Sequence, residues 1–113
     1  MHGAFVFRNE GDGCLTSKWI NDTANTAYVE SCKLLPDENQ DGFRGRYRSS
    51  WTEDNNITVE CDLLIEPHRQ NRQLFQLTWR RTGNAGTVLF QGIGMMHGDL
   101  MMGSYWERPI QAW

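Results

Sequence analysis

Cysteine is scarce. The 113 residues hold three, Cys14, Cys32 and Cys61, with no Cys-x-x-Cys spacing among them. An odd count without a paired framework excludes a disulfide scaffold and fits buried thiols in a reducing compartment. Histidine is equally sparse, and His2, His68 and His97 stand too far apart for an HxH or HExxH pattern. No metal and no cofactor is therefore expected. Positive charge is in deficit: 11 Lys and Arg against 14 Asp and Glu give a net charge of −3. Gripping nucleic acid or an anionic membrane needs the opposite balance. No apolar run approaches the roughly 18–20 residues of a membrane-spanning helix. Met1 to Arg8 has neither the basic start nor the apolar stretch of a signal peptide. The expectation is a cytoplasmic single domain over residues 1–113, with no nucleic acid and no membrane among its partners. Under that expectation the glycosylation-like triplets Asn21-Asp22-Thr23 and Asn56-Ile57-Thr58 carry no weight.

Large rings are what the chain has in quantity, with five Trp, three Tyr and five Phe. They can carry a core that its aliphatic residues alone would leave thin. The dominant hydrophobic period is two, not 3.6. Turn signals recur at Gly11-Asp12-Gly13, 37–42, 53–56, 70–72, Gly83-Asn84-Ala85-Gly86 and His97-Gly98-Asp99. Between them lie candidate strands 3–9, 14–21, 43–51, 57–66, 74–82, 87–96 and 100–107, with 27–35 as a candidate eighth. Segment 21–26 reads as a loop or a short helical turn.

Two hairpins allow a register to be set. Pairing Trp51 with Ile57 puts Phe43, Tyr47, Ser49 and Trp51 on one face with Ile57, Val59, Cys61, Leu63 and Ile65. The other face then sets Arg48 against Glu60 and Arg46 against Asp62, as expected of a half-buried antiparallel pair. Arg44, Arg46 and Arg48 accordingly read as an exposed charge ladder, not a phosphate-binding strip. The hairpin turning at 83–86 pairs Thr82 with Thr87, Trp79 with Phe90 and Leu77 with Gly92, and brings Phe75 near Gly94. Rings that face glycines fit close approach across a curved sheet. Gly92-Ile93-Gly94 lacks the third glycine and the helix of a dinucleotide-binding loop.

Sequential hairpins leave exposed edges unless the first strand meets the last. With no helix available to cover an open sheet, the fold expected is all-β: an antiparallel up-and-down β-barrel of about seven or eight strands. Phe43-Arg44-Gly45-Arg46-Tyr47-Arg48-Ser49-Ser50-Trp51 resembles the Gly-x-Tyr strands of avidin-like proteins. Phe90-Gln91-Gly92-Ile93-Gly94, with Gly98-Asp99-Leu100 and Gly103-Ser104-Tyr105, resembles the closing hairpin of bacterial lipocalin-like domains. The resemblance is thus to calycin-type barrels, and it implies a ligand cavity. Gly3-Ala4-Phe5 has Phe where lipocalins carry Trp, and no biotin-contacting set aligns. No family binding residue is carried over.

An eight-stranded barrel holds packed side chains or one small ligand. The expected cavity lining is Tyr47, Ser49, Trp51, Leu77, Trp79, Ser104 and Trp106, with Phe5 and Phe7 from the first strand. These fit a small apolar or amphipathic ligand bound without catalysis. The alternative is a filled barrel acting as an interaction module through an outer apolar strip. Leu89, Ile93, Met95, Met101 and Tyr105 are the candidate interface of a homodimer, unless Ile110 to Trp113 fold back over it. An enzyme ranks third. Glu30, Ser31 and Cys32 sit near Lys33, and His97 near Asp99, yet no spacing fixes a nucleophile beside a base. The inward positions offer Tyr47 and Cys61 as their only titratable groups, with a mouth loop left to supply His68 or His97.

Overall fold

The computed structural model describes residues 1–24, 26–82 and 87–107. They form β1 (His2–Gly11), β2 (Cys14–Asn21), β3 (Tyr28–Leu34), β4 (Gly45–Thr52), β5 (Thr58–Pro67), β6 (Leu74–Arg81), β7 (Val88–His97) and β8 (Leu100–Glu107), with no helix. Each strand pairs antiparallel with the next, and β1 pairs with β8 from His2 opposite Trp106 to Arg8 opposite Leu100. The result is the closed up-and-down barrel expected from the turn spacing. The candidate eighth strand is real, and it completes the ring.

Local chemistry sets the turns. Asp12-Gly13 joins β1 to β2 with both residues left-handed (φ 54° and 78°), the pattern of a type I′ hairpin. The β4–β5 turn corrects the expected pairing. Asn56 takes the left-handed position (φ 63°), and the Glu53 N–H donates to the Ile57 carbonyl at 2.9 Å. The three-residue loop is therefore 54–56, one residue later than expected. Trp51 opposes Val59, Arg48 opposes Asp62 and Arg46 opposes Leu64. A shift of two in pairing keeps every side chain on its face, so the segregation of apolar from charged positions stands. Arg48 reaches Asp62 at 3.0 Å, while Arg46 finds Glu38 at 3.3 Å in place of a cross-strand carboxylate.

The β6–β7 hairpin pairs Leu77 with Gly92, Trp79 with Phe90 and Phe75 with Gly94, as expected. Leu89 then forms a bulge: Arg80 opposes Val88, and the Arg81 N–H donates to the Thr87 carbonyl at 2.9 Å. The expected Thr82–Thr87 pairing is lost to that extra residue. The expected turn at 83–86 and the cover by Ile110 to Trp113 lie outside the described residues.

The interior divides in two. At one end Phe7, Leu15, Tyr47, Leu63, Ile65, Leu77 and Met101 are wholly buried. The connection from β3 to β4 plugs this end. It buries Phe43, whose carbonyl accepts from the Tyr47 hydroxyl at 2.9 Å, while Gln40 Nε2 donates to the same hydroxyl at 3.2 Å. Among the described residues the opposite end stays open.

Candidate functional site

The open end is aromatic because seven strands bring rings there on the inward phase. Trp19 stacks on Tyr28 with ring centroids 4.6 Å apart, and meets Trp51 and Tyr105 edge-on at 5.6 and 5.8 Å. Phe90 packs edge-on against Tyr105 at 5.9 Å and against Trp51 at 6.4 Å. Phe5 and Trp79 close the wall at 6.1 Å. Edge-to-face pairs of this kind contribute about 0.5–1.5 kcal/mol each beyond burial, so the wall is self-supporting. Together the rings surround a cavity of about 360 Å³. Its rim is Met1, Thr23 and Ala24 on one side and the turn residues Glu53, Asp54 and Asn55 on the other. Across the rim, the Tyr28 hydroxyl donates to Asp54 Oδ2 at 2.9 Å, a bond that raises the phenol's pKa.

Glu30 lies at the floor of this cavity and is only 1% exposed. Three donors from three other strands converge on its carboxylate. Ser17 donates to Oε1 at 2.6 Å, Trp79 Nε1 donates to Oε2 at 2.9 Å, and Ser49 donates to Oε2 as well. One side chain thus ties β2, β4 and β6 to β3 at the level where the packed half of the barrel gives way to the open half. The Trp51 indole N–H, buried in the adjoining wall, has no acceptor among the described residues. Near the rim, Asn21 Nδ2 donates to the Tyr105 hydroxyl at 3.1 Å. Burial raises the Tyr105 pKa, against the Asn21 hydrogen bond, which lowers it.

The thiols beneath the floor are inert by the same physics. Burial, reinforced by the Glu30 charge, pushes Cys61 up to about 12 and Cys32 well above its ordinary value. His68 follows β5 and His97 ends β7, at the opposite end of the barrel from the rim residues 53–55, so neither reaches the cavity. Ser31 and Lys33 are exposed on the outer face while Glu30 and Cys32 point in, which separates that cluster. Among the described residues no group of three or more His, Cys, Asp or Glu could hold a metal.

Of the residues expected to line a cavity, Phe5, Trp51 and Trp79 do so, while Phe7 lies in the packed half. Tyr47 and Leu77 are buried in the packed half, and Ser49 stands behind Glu30. Ser104 and Trp106 are corrected: both are exposed, Trp106 at 38%. The Gly98-Asp99 turn pairs His97 with Leu100, so Gly92 opposes Tyr105 and Gly94 opposes Gly103. Since Gly92 and Gly94 face inward, Tyr105 must as well. The same parity corrects the outer strip. Met101 and Tyr105 are interior, and Leu89 packs against the core at its bulge. Ile93 and Met95 remain outside, beside Ser104 and Met102. Ala4 and Val6 of β1 and Ile20 of β2 continue that band, with Ile20 54% and Met95 51% exposed.

Trp19, Tyr28, Glu30, Phe90 and Tyr105 belong to the cavity and were not among the expected lining. The missed signal lay in β3, where Tyr28, Glu30, Cys32 and Leu34 alternate with Val29, Ser31 and Lys33. That phase alone puts Glu30 indoors. No helix among the described residues is long and apolar enough to cross a membrane. The fold and the cavity define the class as a closed eight-stranded barrel with one open, ring-lined end. Beyond that class, the chain matches no family model, no curated protein and no solved structure.

Proposed function

We propose that this protein binds one small amphipathic molecule in the aromatic chamber and does not transform it. The half-filled barrel carries this reading. One end is plugged and packed, while the other keeps about 360 Å³ clear, within the range of about 300–1,000 Å³ typical of ligand pockets. A barrel with a purely structural task has no need of an open half, and apolar rings around a few fixed polar groups are what orients a small guest. Burial keeps both inner thiols protonated, and the histidines lie at the other end of the barrel, which favours binding over catalysis.

The test is a titration with Prodan, a neutral fluorophore that shifts its emission in apolar surroundings, followed also by tryptophan quenching. Saturable one-to-one binding, weakened about tenfold by Trp19→Ala and untouched by Ile93→Asp, supports the chamber. Absence of saturable binding contradicts it. The continuous apolar band over β2, β1, β8 and β7 favours a second reading, association of two copies through that face. Loss of probe binding in Ile93→Asp but not in Trp19→Ala, together with a drop in sedimentation mass, would favour that reading instead.

A further inference from the structure

Charge in the chamber is one-sided. Glu30 sits at the floor and Glu53 and Asp54 at the rim, and no lysine, arginine or histidine lines the cavity among the described residues. The ion pairs of the described residues join His2 to Asp22, Arg44 to Asp41, Arg46 to Glu38 and Arg48 to Asp62, all away from the floor. Glu30 is therefore a carboxylate held almost wholly out of water by neutral donors alone. Buried charges are ordinarily paired, because removing an ion from water is costly unless an opposite charge comes with it. A carboxylate offers about four lone-pair sites, and the three donors take one on Oε1 and two on Oε2. The Cys32 thiol also hydrogen-bonds to this carboxylate, which borders the cavity. The walls above it are rings of Trp and Tyr, side chains whose π-faces attract a cation most strongly once water is excluded.

We propose that the guest is a small organic cation, an ammonium group on an apolar body, held among the rings over the Glu30 carboxylate. This rests on the binding reading above and specifies its chemical class. The rings receive the apolar body, the floor supplies the missing counter-charge, and the acidic rim draws cations toward the opening. An anionic guest would meet three carboxylates and no cationic side chain among the described residues.

Three probes with one apolar body separate the possibilities by calorimetry at neutral pH: 3-phenylpropylamine, 3-phenylpropanol and 3-phenylpropanoate. The amine is expected to bind at least tenfold more tightly than the alcohol, with the carboxylate weakest. Glu30→Gln is expected to shrink the amine's advantage to less than threefold while leaving the alcohol's affinity within twofold. The comparison in the unmodified protein needs no variant, so it stands even where Glu30→Gln fails to fold. Alcohol or carboxylate binding as tightly as the amine overturns the proposal, as does a folded Glu30→Gln that keeps the full preference. Prodan binding without any preference for the amine removes the cation and leaves the chamber. Failure of all four probes removes both.

Discussion

Substituting Glu30 two ways isolates what its hydrogen bonds do for the fold. Glu30→Gln and Glu30→Ala both remove the charge, so the cost of desolvating a carboxylate cancels between them. Gln keeps the shape. Its oxygen can accept from Trp79 and Ser49 at Oε2, and its NH₂ can donate to the Ser17 hydroxyl that now reaches Oε1. Ala leaves all three partners without Glu30, inside a barrel where Ser17 and Trp79 are 3% and 5% exposed and Ser49 is not exposed at all. Each lost bond contributes about 1 kcal/mol net, and an orphaned buried donor costs about 1–3 kcal/mol. The missing side-chain atoms add about 1 kcal/mol or more through the void they leave. Ala should therefore be about 4 kcal/mol less stable than Gln. That is a large share of the 5–15 kcal/mol that typically separates folded from unfolded chains. Equilibrium urea unfolding of both variants, with slopes compared to confirm that the same surface is exposed, measures the difference. A gap below about 1 kcal/mol would show that the three bonds are incidental to the fold.

Alkali gives an independent check. Cys61 is raised from 9.0 to about 12, so the unfolded chain loses this proton first and stability falls as pH rises from 9 toward 12. The loss is about 1.4 kcal/mol per pH unit across that window, with none below it. Urea midpoints at stepped pH should show the fall in the parent and a shallower one in Cys61→Ala; equal slopes would contradict the assignment. Gly103→Ala should be destabilised by about 3 kcal/mol or more, because the added methyl would sit 1.9 Å from the Ile93 carbonyl oxygen at the β7–β8 pairing. An unchanged melting temperature would refute that close approach. A double-mutant cycle on Arg48 and Asp62 should return about 0.2–1 kcal/mol of coupling, and the same cycle on Arg48 and Glu60 close to none. The reverse result would restore the pairing read from the sequence.

Most of the barrel is legible in the chain. Period-two alternation with turn residues at regular intervals places the strands within a few residues, and the unpaired-edge argument closes the ring. The failures are matters of phase. In the β4–β5 hairpin either Asn55 or Asn56 could take the left-handed position, and only tertiary packing decides between them. In β7–β8 the phase is set locally: inward Gly92 and a two-residue turn force Tyr105 indoors and Ser104 and Trp106 out. Composition points the other way there, since Trp106 looks like core and Ser104 like cavity polarity, whereas local parity governs. The site was legible only in part. Trp51 and Trp79 follow from their strands, but Glu30 is a charged residue on an inward position of β3. A buried carboxylate breaks the apolar pattern that reveals most inward positions. Its three donors sit 13, 19 and 49 residues away along the chain, which no local reading connects.

Backbone amide spectra recorded during titration with 3-phenylpropylamine locate the guest most directly. The account predicts saturable shifts gathered at Trp19, Tyr28, Glu30, Trp51 and the 53–55 turn, with the outer β7–β8 positions Ile93 and Met95 unmoved. Shifts confined to Ile93, Met95 and Met102, or spectra unchanged at saturating amine, would contradict it.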